Sequence, residues 1–314
     1  MTVRARRFRT IGSDRHLRQL CNIRKQIVVK RIFCCITKVA IYKIDTVQLS
    51  IMDLLHDIPH YWTKQLDPRA ADLPLVSSSY QIPLIIFAYL YFVLGYGPQF
   101  MKNRPPYSLT SFIKLYNIGQ ILANVWLIYD IIDAGLFSTH LLVCPKFDYS
   151  YNYTPMRLTR CTWYFFLLKI FDYVETIVFV LRKKDNQISA LHLYHHVSTL
   201  LLSWAGIRFY AVAPIALTCV INCFIHTIMY TYYFLAAWGS NVQKVVAPLK
   251  RWITIAQMIQ FVIIILYASQ KFVLKDCAIV SNYIIVSYIG NVVINFFMFY
   301  NFYQKTYKEV KKTQ

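Results

Sequence analysis

The sequence predicts an all-α polytopic membrane protein with seven transmembrane helices, on three observations. Apolar runs near the roughly 20 residues that a helix needs to cross a bilayer core recur along the chain. Charged residues make up only 15%, against about 25% in an ordinary soluble domain, while 57% are hydrophobic and mean hydropathy is +0.40. No Pro/Gly/Ser-rich linker or low-complexity stretch divides the 314 residues, so one membrane domain accounts for them. The runs must be helices, because a lipid-exposed backbone has no other way to pair its N–H and C=O groups.

The spans fall at roughly 80–97, 115–137, 161–181, 189–208, 212–237, 252–270 and 279–303. The first ends before Lys102 and Arg104, and the second runs toward Lys146. The third lies between Arg157/Arg160 and the run Arg182-Lys183-Lys184, and the fourth closes on Arg208. The fifth ends before Lys244 and Lys250. The sixth is held between Arg251 and Lys271, and the seventh between Lys275 and Lys305. Placing the C-terminus in the cytosol puts twelve loop and tail bases on that side against eight on the other, which favours a cytosolic C-terminus and a lumenal N-terminus.

Residues 1–51 stand apart. They hold 12 Lys/Arg and 2 Asp/Glu, a net of +10 out of +20 for the whole chain, and contain no uninterrupted apolar run long enough to span. Three readings stay open for this basic N-terminal extension: a membrane-surface arm, a transit-like leader, or a segment absent from a mature protein that starts at Met52. A single basic tail on a multi-span chain does not require a nucleic-acid partner. The expected organisation is therefore 1–51 extension, 52–304 seven-helix domain and 305–314 cytosolic tail.

The eight cysteines do not form a small-domain disulfide framework. Cys161, Cys219 and Cys223 fall in or at the edge of spans as small packing residues. Cys144 and Cys277 fall in loops on the outer side and are expected to pair if that compartment is oxidising. Asn152-Tyr-Thr154 in the same outer region is a glycosylation acceptor pattern, weakened by Pro155.

Four consecutive spans carry polar residues at helical spacing. Lys169, Asp172 and Thr176 follow i, i+3, i+7, with Glu175 on the adjoining edge. His192, His195 and His196 share one face of the next helix. Asn222, His226, Met229, Tyr230 and Tyr233 repeat at three and four, and Thr254, Gln257 and Gln260 at three. One such stripe is ordinary glue between helices. Four, with ionisable members that hydrocarbon penalises by roughly 2.5–3.5 kcal/mol each, predict one internal polar chamber.

Two chemistries suit clustered imidazoles. Membrane di-iron oxygenases use many histidines in several clusters; here His16, His56, His60 and His140 lie outside the spans, leaving four in the core. Three could hold a zinc, but no carboxylate or cysteine completes an obvious set. The other chemistry is nucleophilic: neutral imidazole attacks a thioester and passes the acyl group onward, a second imidazole moves protons, and Tyr, Asn and Gln stabilise oxyanions.

From about Met52 onward the chain resembles the ELO family of very-long-chain fatty acid elongases. The resemblance is carried by Lys169-Ile-Phe-Asp-Tyr-Val-Glu-Thr176, Leu181-Arg-Lys-Lys184, His192-Leu-Tyr-His-His196, His226-Thr-Ile-Met-Tyr-Thr-Tyr-Tyr233 and Thr254-Ile-Ala-Gln-Met-Ile-Gln260. Asp67-Pro-Arg69, Met101-Lys-Asn-Arg-Pro105 and Tyr116-Asn117 add to it. The family usually has Glu then Asp before the motif threonine, whereas Asp172 here precedes Glu175.

The resemblance implies six helices forming a barrel around a narrow acyl tunnel, plus one peripheral helix, in the endoplasmic reticulum membrane. It implies an acyltransferase, the 3-oxoacyl-CoA synthase of fatty acid elongation. Malonyl-CoA would lose CO2 and extend a long-chain acyl-CoA by two carbons, with no cofactor beyond these substrates. By the same resemblance His195 is the acyl-accepting nucleophile beside His192, His196 and His226. Asn222, Tyr230 and Gln257 line the chamber, and Arg182, Lys183 and Lys184 face the CoA phosphates. Lys311-Lys312 looks like a dilysine retrieval signal. The bilayer, the other enzymes of the elongation cycle and a second copy of the chain are the candidate partners. The alternative function is a histidine–metal lipid desaturase or hydroxylase.

Overall fold

The computed structural model describes residues 66–136, 148–210, 213–274 and 282–309, all within the unit His60–Gln314. The basic extension, Cys144, Cys277 and the Lys311-Lys312 tail lie outside the described residues. Among those described there is no strand. The helices are α1 (Gln81–Met101), α2 (Thr110–Asp133), α3 (Tyr153–Phe171), α4 (Tyr173–Leu181), α5 (Ala190–Phe209), α6 (Ala213–Ala236), the short α7 (Ser240–Val246), α8 (Leu249–Val273) and α9 (Asn282–Gln304).

Five of them are long and apolar enough to cross a bilayer: α1, α2, Ile215–Ala236 of α6, α8, and α9 continued to Tyr307. The protein is thus a multi-pass, all-helical membrane protein. Helices α3 and α5 fall short on composition because they carry Arg157, Arg160, Lys169, three histidines and Arg208, and α4, at 9 residues, is too short by itself. Several helices also start outside the apolar runs that announce them. Helix α2 begins at Thr110 rather than near 115 and α3 at Tyr153 rather than 161, with Pro155 in its first turn, where a missing N–H costs nothing.

Helix α1 contains a π-turn at Phe92–Tyr96 just before Gly97-Pro98. Pro98 has no N–H to give and its ring crowds the carbonyl four residues back, and the widened turn absorbs both defects. A Cβ on Gly97 would meet Phe92 O at 2.7 Å and Val180 Cγ1 at 2.8 Å, so the missing side chain lets α1 lie close against α4.

Pairwise packing runs α2 on α6, α6 on α8, α8 on α9, α9 on α5, α5 on α3 and α3 on α2, with α3 also against α6, while α1 packs on α4 and α5. One apolar core joins Tyr89, Val93 and Met101 of α1 to Phe166, Tyr173, Val180, Leu200 and Trp204. A second joins Leu127 and Ile131 to Phe165, Ala216, Cys219 and Cys223, where the buried, free cysteines act as small packing residues. Phe261, Ile264, Val292 and Phe299 form a third between α8 and α9.

The segment ahead of α1 is tied to α5. Asp67 and Arg69 form a buried ion pair (2.6 Å), and Asp67 N–H donates to Arg208 O (2.8 Å). The Arg208 guanidinium in turn donates to the carbonyls of Val76 and Ser77, each at 2.6 Å. Arg69 also reaches Asp148 O (2.9 Å), in a turn where the Ser150 backbone N–H holds the Asp148 carboxyl below the usual carboxylate range. A buried guanidinium met by two carbonyls at Nη1 is tolerated where one without such contacts would not be.

Candidate functional site

The site begins at the break between α3 and α4. Phe171 O accepts the Tyr116 hydroxyl (3.2 Å), and Glu175 N–H bonds Asp172 O (3.2 Å), so the ladder tightens for one residue. Asp172, buried at that break, becomes a hub. Its Oδ2 receives Lys169 Nζ (3.0 Å), and its Oδ1 receives Gln120 Nε2 (3.0 Å) and the Tyr230 hydroxyl (2.9 Å). Lys169 Nζ also donates to Asn222 Oδ1 (3.0 Å). A charge pair out of water is tolerable only when its remaining valences are filled this way. His226 stands alongside, with Nδ1 3.9 Å from Asp172 Oδ2 and that nitrogen without a hydrogen-bond partner among the described residues.

The three imidazoles of α5 follow the Ser189 N-cap, whose hydroxyl oxygen accepts His192 N–H (3.2 Å). His192 and His196 lie ring to ring, centroids 4.2 Å apart, and His195 is edge-on to His196 at 6.0 Å. Each makes a different set of contacts. His192 Nε2 meets Thr176 Oγ1 at 2.8 Å. His195 Nδ1 meets Asn295 Oδ1 at 3.2 Å, with Phe299 and Phe261 edge-on to its ring. His196 faces the Tyr173 ring at 6.2 Å. Among the described residues no three His, Cys, Asp or Glu side chains converge as metal ligands.

The remaining sequence candidates divide. Glu175 is half-buried, and its carboxylate takes no part in the side-chain hydrogen bonds of Asp172. Tyr233 packs edge-on against Tyr230 (6.1 Å), and Gln257 donates to Met229 Sδ (3.7 Å). Buried polar atoms without a partner among the described residues include His226 Nδ1, Gln260 Oε1, Asn117 Nδ2 and Tyr173 OH. Unpaired groups of this kind are uncommon in a finished core and suit a cavity that receives a polar ligand or water.

At one end of α4, Arg182 is half-buried and Lys183 and Lys184 are exposed. Lys184 N–H bonds Phe179 O (2.9 Å) and Lys183 N–H bonds Val180 O (3.0 Å), a Schellman closure that puts Lys183 at φ +52°. The α1–α2 loop joins it: Tyr107 N–H donates to Leu181 O (3.1 Å) and Lys183 Nζ to Lys102 O (3.4 Å). Asn152, the acceptor candidate, is exposed at the N-cap of α3.

Residues 74–314 match the profile of the ELO: GNS1/SUR4 family. This chain belongs to the ELO family. Relatives include a very long chain fatty acid elongase of Aedes aegypti, 35% identical over 264 residues that cover 83% of this chain and 73% of that protein. Very long chain fatty acid elongase 1 of Mus musculus is 33% identical over 265 residues, covering 83% and 93%. Very long chain fatty acid elongase 4 of Homo sapiens is 35% identical over 254 residues, covering 80% and 79%.

This ELO-family chain holds site residues that the four stripes omitted. Asn117, Gln120 and Asn124 repeat at three and four on the buried face of α2, and Asn291 and Asn295 are one turn apart on α9. The same spacing rule detects both. Tyr89 is different: it is one tyrosine in a run of aromatics on α1, and only the fold shows that its hydroxyl donates to Thr176 Oγ1 (3.0 Å).

Proposed function

We propose that this chain is the condensing enzyme of fatty acid elongation, a 3-oxoacyl-CoA synthase that works through an acyl-histidine on His195. The observation that carries the reading is the pairing of two unlike walls: imidazoles on α5, of which His192 and His195 each have their own polar contact, beside the Lys169–Asp172–Asn222–Tyr230 network with His226.

In the first half-reaction the lone pair of His195 attacks the thioester carbonyl, the C–S bond breaks, and the electron pair leaves with the CoA sulfur. In the second, malonyl-CoA loses CO2 and the resulting enolate carbon attacks the acyl carbonyl. The C–N bond to His195 then breaks, releasing 3-oxoacyl-CoA and the free imidazole. His226, with an unengaged nitrogen, moves a proton in that second step, while Lys169 and the Asn222 amide stabilise enolate charge and Tyr230 holds the Asp172 carboxylate. His192 and His196 support His195. The two half-reactions balance on the two thioesters alone.

The cyclic order α2–α6–α8–α9–α5–α3, with α1 outside it, supports a six-helix barrel around an acyl tunnel and a count of seven spans when α3 and α4 cross as one. An apolar slot suits the substrate, since each CH2 kept from water is worth roughly 0.8 kcal/mol. The basic end of α4 with the α1–α2 loop reads as the cytosolic mouth for CoA phosphates. The loop-charge bias supports a cytosolic C-terminus, and the dilysine pattern a residence in the endoplasmic reticulum.

The test incubates the full chain, in lipid, with long-chain acyl-CoAs and labelled malonyl-CoA. Formation of 3-oxoacyl-CoA with CO2 release is expected. Its failure across saturated and unsaturated acyl lengths overturns the function, and acyl label accumulating on His195→Ala overturns the nucleophile.

A further inference from the structure

We infer that Asn295 is a positioning residue that locks the tautomer of His195, leaving Nε2 as the nitrogen that attacks. The inference rests on the reading of His195 as the acyl acceptor and names the atom and the partner that prepare it.

Asn295 sits on α9, buried at 2% exposure, and its amide orientation is fixed by its surroundings. Nδ2 donates to Asn291 O (3.0 Å) and toward Ser198 Oγ (3.5 Å). The single proton of Ser198 is given to His195 O (3.3 Å), so toward Asn295 this hydroxyl can only accept. Asn291 is held in turn, because its Oδ1 accepts the Tyr194 hydroxyl (2.9 Å). With both Nδ2 hydrogens engaged, the oxygen end of Asn295 is left facing His195 Nδ1 at 3.2 Å. An amide oxygen has no proton to offer, so Nδ1 must be the N–H and Nε2 must carry the lone pair.

The ring plane is set independently. Phe299 and Phe261 meet the imidazole edge-on at 5.6 and 6.4 Å, and they pack on each other at 5.2 Å. Helices α8 and α9 therefore aim and prepare a nucleophile that α5 carries.

The chemistry gains from this twice. A free imidazole exchanges between tautomers, one of which presents a protonated, unreactive Nε2. When Nε2 bonds the thioester carbon, the C–S bond breaks and its electron pair leaves on sulfur. The ring, still protonated at Nδ1, becomes an acyl-imidazolium. The Nδ1–H to Asn295 Oδ1 bond becomes charge-assisted at that moment, so it strengthens where the barrier lies.

The experiment uses the full chain in lipid nanodiscs with a long-chain acyl-CoA alone, following release of CoA and acyl label on His195 in a single turnover. Asn295→Leu keeps volume and removes the acceptor; Asn295→Asp keeps an oxygen in place. We expect Asn295→Leu to slow CoA release by about 100-fold with acyl-CoA affinity unchanged, and Asn295→Asp to recover most of the rate. Equal loss in both variants, or normal acylation in Asn295→Leu, overturns the inference and leaves the nucleophile standing. No label on His195 in the unsubstituted protein overturns both. Nitrogen NMR of the unsubstituted protein, with the His195 signals assigned by difference from His195→Gln, gives a reading independent of variant folding. A protonated Nδ1 and bare Nε2 are expected, and the opposite tautomer overturns the lock.

Discussion

Thr176 Oγ1 lies 2.8 Å from Nε2 of His192 and accepts the hydroxyl proton of Tyr89, so its own proton is left for the imidazole. Helix α1, outside the cyclic packing order, thereby reaches the histidine face through one hydroxyl relay. His192 meets its hydroxyl partner on Nε2, while His195 receives its partner on Nδ1. Thr176→Val should lower kcat roughly tenfold, the equivalent of one lost hydrogen bond of about 1.4 kcal/mol, with KM little changed. Tyr89→Phe should do the same to a smaller degree. Steady-state kinetics that leave kcat intact in Thr176→Val would reduce the contact to packing.

Much of this was legible in the sequence, for a physical reason. Hydrocarbon tolerates polar groups only on a shared interior face, so spacing alone led to the expectation that Lys169, Asp172, the histidines, Asn222, His226 and Tyr230 share one chamber. The structure joins Lys169, Asp172, Asn222 and Tyr230 by hydrogen bonds. Spacing could not say which groups pair across helices. Lys169 and Asp172 are one turn apart and were legible as a pair, but Gln120 and Tyr230, which complete the carboxylate, are 52 and 58 residues away. Tyr89 stayed hidden because it is one polar group in an aromatic run, given meaning only by a partner on another helix, whereas Asn295, one turn from Asn291, was within reach of the spacing rule. Glu175 shows the opposite: an ionisable residue beside the stripe whose carboxylate joins none of the hub's hydrogen bonds.

The hub predicts a stability signature. Lys169→Met leaves Asp172 buried without its cation, a loss of the kind that costs about 3–5 kcal/mol. Adding Asp172→Asn removes the stranded charge while keeping an acceptor for Tyr230 and Gln120. The double variant should therefore recover a large part of the thermal midpoint lost by Lys169→Met, yet remain without condensing activity. A double variant no more stable than Lys169→Met would show that the pair is not the source of the loss.

Close approach of α1 to α4 predicts a linked loss. Gly97→Ala places a methyl 2.7 Å from Phe92 O and 2.8 Å from Val180 Cγ1, and the first of these is backbone. Overpacking of this kind costs about 1–3 kcal/mol. Because α1 also carries Tyr89, its displacement should lower kcat together with the thermal midpoint, and Gly97→Ala combined with Tyr89→Phe should lose little more activity than Gly97→Ala alone. Fully additive losses in kcat would mean that the helix packing and the hydroxyl relay are independent.

At the proposed CoA mouth, Lys183 sets stability against binding. Its φ of +52° closes the Schellman turn, a conformation glycine adopts freely and a side chain enters at a cost of about 1 kcal/mol. Lys183→Gly should raise the thermal midpoint by relieving that strain, while removing one positive charge should raise KM for malonyl-CoA and flatten its dependence on salt. Lys183→Ala separates the two effects: it keeps the strain and loses the charge, so its KM should match that of Lys183→Gly while its midpoint does not rise. If both variants bind malonyl-CoA as tightly as the unsubstituted protein, the lysine serves the helix end and not the phosphates. A strained lysine where glycine would be more stable is the expected compromise when the charge is the function.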